Sequence, residues 1–244
     1  VRRRLLALLA LVFGAHLVVV GSVRWIDPPL TLTMLGAAWE HRALPQRDWR
    51  PLDELGHLPR MAVAGEDGAF WLHDGFDWVG ICTAIDTNRR NRARGSSARA
   101  GGSTIPQQVA RNVFLWQGRS WLRKGLETWL TLWLVRLVPR ERILELYLNL
   151  AQTGPATFGA EAGAQRAFGK SAAKLTPTQA ARLIAILPAP ARWSVTDADV
   201  KGKARTILQN RDPWPGEEHF EAVADAYAEK NPGPLGCAWR QLVR

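Results

Sequence analysis

Hydrophobic and polar positions fall into blocks along this chain, most of them with a helical period. The first block is almost unbroken. After Arg2, Arg3 and Arg4, an apolar run from Leu5 to Val23 is interrupted only by Gly14, His16, Gly21 and Ser22. As a helix it would rise roughly 28 Å, close to the thickness of a bilayer's hydrocarbon core. Further on, Leu122, Leu126, Trp129, Trp133 and Leu137 recur at spacings of three and four, predicting a helix from about Ser120 to Val138 with that stripe buried. Pro139 ends it, and 140–150 begins another, with Leu144, Tyr147 and Leu148 on its core face. Glu145 and Asn149 on that helix are polar; solvent exposure is the simpler account and support of a site the other.

Punctuation divides the rest. The segment 25–35 carries Pro28 and Pro29 and reads as an extended linker, and 36–60 as loop with one short helix. A helix is expected from Asp77 to Asn88, followed over 88–102 by a basic, Gly- and Ser-rich stretch with the composition of a mobile loop. GGSTIPQQ (101–108) then opens a helix, with Ser103 or Thr104 as cap and Pro106 in the first turn. Residues 151–169 are rich in Gly and Ala and suit tightly packed helices. Another capped helix runs from Thr176 to about Leu187, closed by Pro188 and Pro190. Beyond about Asp197 polarity rises, and a helix around Glu217 to Lys230 is the main element expected there. These blocks divide the chain into a cytoplasmic N-terminus (1–4), a membrane-spanning signal anchor (5–23), a main domain (24–198) and a partly helical tail (199–244).

Charge changes the picture next. The formal net charge is +10 over 244 residues, which suits anionic partners such as lipid headgroups, pyrophosphate or nucleic acid. The Arg residues of 88–102 have no interleaved aromatics and match no nucleic-acid motif, so nucleic acid is set aside. The Arg cluster before the apolar run keeps the N-terminus in the cytoplasm and puts the remainder outside. A cleaved signal peptide is the alternative, but the run is longer than a signal core and no clear small-x-small site follows it. Phe114, Leu115, Trp116, Trp121 and Leu122 read as core, or as residues inserted into a membrane interface. The two cysteines lie far apart and their spacing does not suggest zinc; Cys82 reads as a small core residue, and an oxidising compartment permits, without requiring, a bridge to Cys237.

The candidate chemistry starts at GEDGAFWLHDGFD (65–77). Glu66 and Asp67 follow the apolar residues Met61 to Ala64, and a carboxylate among apolar side chains resists ionisation, as a general base near neutral pH must. The plain alternative is a helix start with an acidic first turn. A helix opening at GGSTIPQQ offers free N–H groups to an anion, with Gln107 and Gln108 as neutral donors and Arg111 one turn on. Arg123 and Lys124 lie four and three residues before Glu127, which reads as a surface ion pair or as a cationic cluster facing a phosphate-bearing substrate.

Together the motifs resemble the peptidoglycan glycosyltransferases of family 51, in particular the monofunctional, membrane-anchored ones, over roughly residues 24–195. E-D-x-x-F-x-x-H-x-G-F-D falls on Glu66 to Asp77, G-G-S-T-I-x-Q-Q on Gly101 to Gln108, and R-K-x-x-E on Arg123, Lys124 and Glu127. I-L-E-x-Y-L-N falls on Ile143 to Asn149, and an apolar helix ending L-P-x-P closes at Leu187 to Pro190. Pro106, Arg111, Gln152 and Ala167 depart from the family's usual residues, and the tail after 200 matches none of its motifs.

The resemblance implies a mainly α, lysozyme-like head with a small apolar jaw. It implies inverting transfer of a growing glycan, held on undecaprenyl pyrophosphate, to the sugar hydroxyl of lipid II. Glu66 would be the base, and Glu127 would orient cations or a divalent ion (Mg or Mn) that some relatives use; no other cofactor is implied. Asp67, Ser103, Gln107, Gln108, Arg111, Arg119, Arg123 and Lys124 would bind substrate. Implied partners are lipid II, the growing glycan, membrane lipid, and cell-division or elongation proteins. Implied localisation is the inner membrane, single-pass, with the catalytic part periplasmic. Residues after 195 hold no Ser-x-x-Lys transpeptidase motif, which leaves cross-linking to other proteins. Two other readings stand beside this one: a lysozyme-like lytic enzyme, for which the cationic cluster has no use, and a non-catalytic lipid-binding scaffold, which needs neither Glu.

Overall fold

The structure is a computed structural model and describes residues 2–98, 100–118, 120–210 and 214–236. The fold is mostly helical, as the sequence predicts. Helix α1 (Arg2–Ser22) is long and apolar enough to cross a membrane, with a mean hydropathy of 2.4 over its most apolar window. It stands mostly free of the head and touches α6 (Trp121–Leu137) along its C-terminal half; Val20 in it and Val23 just after it are buried. Helix α2 (Leu32–His41) begins inside the stretch expected to be extended. Thr31 starts it by accepting a hydrogen bond from the Met34 N–H, so the extended part ends soon after the two prolines.

The head is built around α7 (Arg140–Leu150). Ile143, Leu144, Leu146, Tyr147, Leu148 and Leu150 are all buried, and so wide an apolar face puts the helix in the centre. On one side α5 (Ile105–Phe114) packs on α7 and on α6. On the other, α3 (Leu58–Glu66) packs on α7 and on α9 (Pro177–Ala185). Helix α4 (Trp78–Ala93) follows the Glu66 motif, and α8 (Ala160–Phe168) packs on α9. Strands β1 (Gln46–Arg47) and β2 (Thr157–Phe158) form a minimal parallel pair, Gln46 opposite Thr157. Asn149, fully buried, does support structure rather than face solvent: it accepts the Arg50 N–H and donates to the Arg50 carbonyl.

Several expectations are corrected here. Helix α4 runs on to Ala93, so the first six residues of the basic stretch are helical, and Asn88 pins the loop beyond it by bonding both ways to the Ala100 backbone. The stripe Leu122–Leu126–Trp129 of α6 is exposed; the buried side carries Arg123, Glu127, Leu130, Thr131 and Leu134. The reason is the neighbour. The apolar side faces α1, where Phe13 packs edge-on to Trp133 and the Trp129 indole donates to His16, so it is matched to the membrane-side helix and not to the core. Cys82 is buried as expected, but its sulfur is in a disulfide; Cys237 lies outside the described residues.

The boundary at 198 also falls in the wrong place. Helix α10 (Ala198–Gln209) packs on α9 and α3 with Val200, Ala204 and Ile207 buried, so it is part of the head. The later helix is α11 (Phe220–Lys230), shorter than the expected span, and Tyr227 on it donates to the Asp77 carboxylate.

Candidate active site

Glu66 is the last residue of α3, not the start of a helix. A carboxylate there meets the negative end of the helix dipole, which disfavours its charge. The side chain is 13% exposed. Burial pushes the Glu66 carboxyl above the usual carboxylate range, and Lys203, Gln108 and Arg111 each pull it partly back. Its Oε2 accepts a hydrogen bond from the Gln108 amide at 3.2 Å, while Oε1 is buried with no hydrogen-bond partner among the described residues.

Asp67 is arranged differently. It follows the helix end, buried, with both oxygens within 3.1 Å of His73 Nε2, and it also accepts the Ile105 N–H at 2.8 Å. His73 Nδ1 accepts the Gly75 N–H, so the ring proton sits on Nε2 and points at Asp67. The carboxylate thereby ties the end of α3 to the start of α5. It works as a strut, which the expectation of a substrate contact did not foresee. Thr104 strengthens the tie by donating to the Gly75 carbonyl at 2.7 Å. Gly75 has φ +93, and a Cβ there would meet Thr131 and Val135 on α6 at 3.1 Å, so the turn needs glycine to lie against that helix.

The start of α5 is a full capping box. The Thr104 hydroxyl accepts the Gln107 N–H, and the Gln107 side-chain oxygen accepts the Thr104 N–H. Of the two caps that the sequence allows, Thr104 is the one used, and Gln107, expected to bind substrate, is buried with its side-chain oxygen engaged in the cap. Gln108, one position on, is the one that reaches Glu66. Pro106 lies in the first turn, where its missing N–H leaves no gap.

Glu127 sits on the first turns of α6 with its side chain 2% exposed. It accepts a hydrogen bond from Arg123 at 2.8 Å and another from Lys124, whose ammonium also reaches the Ser103 hydroxyl at 3.4 Å. The pair is therefore buried and not the surface contact that spacing alone allows. Arg123 keeps a buried Nε–H with no partner among the described residues. Arg119 lies outside the described residues.

Two cavities flank the Glu66–Gln108 contact, Gln108 lining one and Glu66 the other. One, of about 480 Å³, is lined by Gln108, Arg111, Arg123, Tyr147, Gln152 and Pro188 among others. The other, of about 210 Å³, is lined by Glu66, Asp77, Gly101, Gly102, Ser103 and Thr104 among others. The first supplies guanidinium groups, which suit phosphate oxygens; the second is polar and lies beside the carboxylate. Gln152 closes a turn by donating to the Gly154 and Pro155 carbonyls, so its departure from the family residue leaves local packing intact. As to a metal, the Glu127 carboxylate is engaged by two cations. No group of three or more His, Cys, Asp or Glu among the described residues could hold an ion. The donor set does not fit a resident divalent cation.

Sequence reasoning missed Lys203, on α10, whose Nζ is 3.6 Å from Glu66 Oε1. No motif marks it, and polarity had set its segment aside as tail. It also treated Tyr147 as core alone, although the residue lines the larger cavity. Burial raises that phenol well above its ordinary value, and it stays a neutral hydroxyl.

A family model described as Transglycosylase matches residues 37–211, across the boundary expected at 198. The chain is 47% identical over 195 residues to a biosynthetic peptidoglycan transglycosylase of Caulobacter vibrioides, covering 80% of this chain and 82% of that one. It is 42% identical over 231 residues to a protein of the same name from Pseudomonas aeruginosa, covering 92% and 95%. A third of that name, from Xanthomonas campestris pv. campestris, is 46% identical over 219 residues, covering 87% and 85%.

Proposed function

The chain belongs to the transglycosylase family, and from that membership we propose that it polymerises lipid II into peptidoglycan glycan strands, with Glu66 as general base. The observation that carries the reading is the state of Glu66: buried, reluctant to ionise, and with one oxygen free of hydrogen bonds beside a polar cavity. The acceptor hydroxyl attacks the anomeric carbon of the growing strand. As the new C–O bond forms, its proton passes to Glu66, and the bond from the anomeric carbon to the pyrophosphate breaks. One displacement inverts the centre, from an α-linked donor to a β-linked polymer. The departing lipid pyrophosphate carries the negative charge, which Arg111, Arg123 and Lys124 are set to neutralise in a partly water-excluded cleft. Glu127 holds Arg123 and Lys124 in register. No step is routed through a metal ion.

In this reading α1 spans the inner membrane once with Arg2 to Arg4 on the cytoplasmic side, and the head works at the periplasmic surface. Exposed apolar side chains on elements near the anchor support it. Trp39 on α2 is 89% exposed and Trp121 at the start of α6 is 92% exposed, and indoles favour the membrane–water interface.

The test is polymerisation of purified lipid II in detergent by the wild type and by Glu66→Gln. Polymer from the wild type, with a loss of about 10²–10⁴-fold in the variant, is the expected result. Cleavage of preformed glycan without polymerisation would make the protein a hydrolase. A wild type that does neither would favour a scaffold.

A further inference from the structure

Helix α10 lies close to the end of α3 because residue 65 is glycine. A Cβ on Gly65 would come within 2.9 Å of both Ile184 on α9 and Ile207 on α10. Ile207 is one turn beyond Lys203, so the contact that seats Ile207 beside Gly65 also delivers Lys203 beside Glu66, the next residue. The approach is built into the helix packing; it does not depend on a chance surface encounter.

Lys203 Nζ lies 3.6 Å from Glu66 Oε1, within ion-pair range and at the outer edge of hydrogen-bond contact, and no donor approaches that buried oxygen more closely among the described residues. Gln108 occupies the other oxygen. A base needs a lone pair open to the proton it takes; a cation hydrogen-bonded closely to that oxygen, as Lys124 is to Glu127, takes one of its two lone pairs and competes with the incoming proton. A cation one step back stabilises the charge and leaves the lone pair open.

We propose that Lys203 is a positioning residue for the polymerisation reaction, holding Glu66 in its charged, proton-accepting form while leaving Oε1 free for the acceptor hydroxyl. The proposal rests on the reading of Glu66 as general base. The groups facing Glu66 come from several elements: Lys203 from α10, Arg111 and Gln108 from α5, Tyr147 from α7, and its neighbour Asp67, which is turned to His73. From α9, apolar Ile184 lies beside Gly65. Tyr147 and Asp67 bear no positive charge, and Lys203 acts on Glu66 more strongly than Arg111 does. Lys203 is thus the leading cation.

The experiment uses the full chain in detergent with lipid II, and reads kcat/KM against pH for wild type, Lys203→Met and Lys203→Arg. Met keeps the length of the stem and removes the charge; the side chain is about a third exposed (32%), so the fold tolerates it. The expected result is an acid limb moved to higher pH by about one unit or more in Lys203→Met, with activity recovering at the alkaline plateau. Lys203→Arg should return the limb to near the wild-type position. A limb that stays in place while the rate falls equally at every pH overturns the proposal, because a structural role does exactly that much and no more. So does a Lys203→Arg limb that coincides with that of Lys203→Met. A Glu66→Gln variant that polymerises like wild type overturns the underlying reading instead, and is told apart by that control.

Discussion

Glu66 and Glu127 serve the same cleft from two helices and are kept in opposite conditions. Glu127 is saturated: it lies buried on the early turns of α6, with a guanidinium and an ammonium bonded to its oxygens. Glu66 is starved: it ends α3, buried, with one neutral amide on one oxygen and a distant cation near the other. The difference separates framework from reagent. A carboxylate with a cation bonded to each oxygen organises those cations. A carboxylate left short of partners is costly to keep charged, and that cost is what makes it a base.

The contrast can be broken most sharply at Glu127. Replacing it by Gln leaves the buried Arg123 without a counter-charge, and should destabilise the protein by about 1–3 kcal/mol. Denaturant unfolding measures it, and a variant as stable as wild type would mean that the pair contributes little to the fold.

The same substitution at Glu66 should act with the opposite sign. The folded-state pKa of Glu66 lies above its unfolded value, so the folded protein binds the proton more tightly. Stability contributed by this site is therefore present below the unfolded pKa and is lost as pH rises through the folded one. Gln avoids that loss, so Glu66→Gln should be more stable than wild type at neutral pH by about 0.5–2 kcal/mol. The advantage should shrink as pH falls through the window, and an advantage that persists in acid would point to packing in place of charge.

The smallest test is Gln108→Leu. Removing that donor from Glu66 Oε2 should move the acid limb of kcat/KM upward, by less than Lys203→Met does, since Lys203 is the stronger influence on Glu66. A larger shift would make the amide, and not the ammonium, the chief support of the charged base.

Much of this was legible in the chain. Ser120, Thr176 and Thr104 cap helices at the expected places because capping depends on a few adjacent residues. The spacing of Arg123, Lys124 and Glu127 anticipated their contact because side chains three and four apart meet on any helix. What escaped was decided by neighbours distant in sequence. Periodicity shows that α6 has an apolar side but not whether that side faces the core or α1. Gln107 and Gln108 are adjacent and chemically identical; one closes the cap and the other reaches Glu66, a choice made by the rotation of the helix against α3. Lys203 lay in a polar segment whose role depends on what Gly65 admits, 138 positions earlier in the numbering.

The contact between α1 and α6 bears on how the protein can be handled. Phe13 and His16 lie against Trp129 and Trp133, on the helix whose other side holds Arg123 and Glu127. A head excised from its anchor would uncover those indoles next to Leu122 and Leu126, an apolar area of the kind that water-soluble proteins seldom leave bare. It would behave as a peripheral membrane protein in its own right, needing detergent or bilayer to stay dispersed.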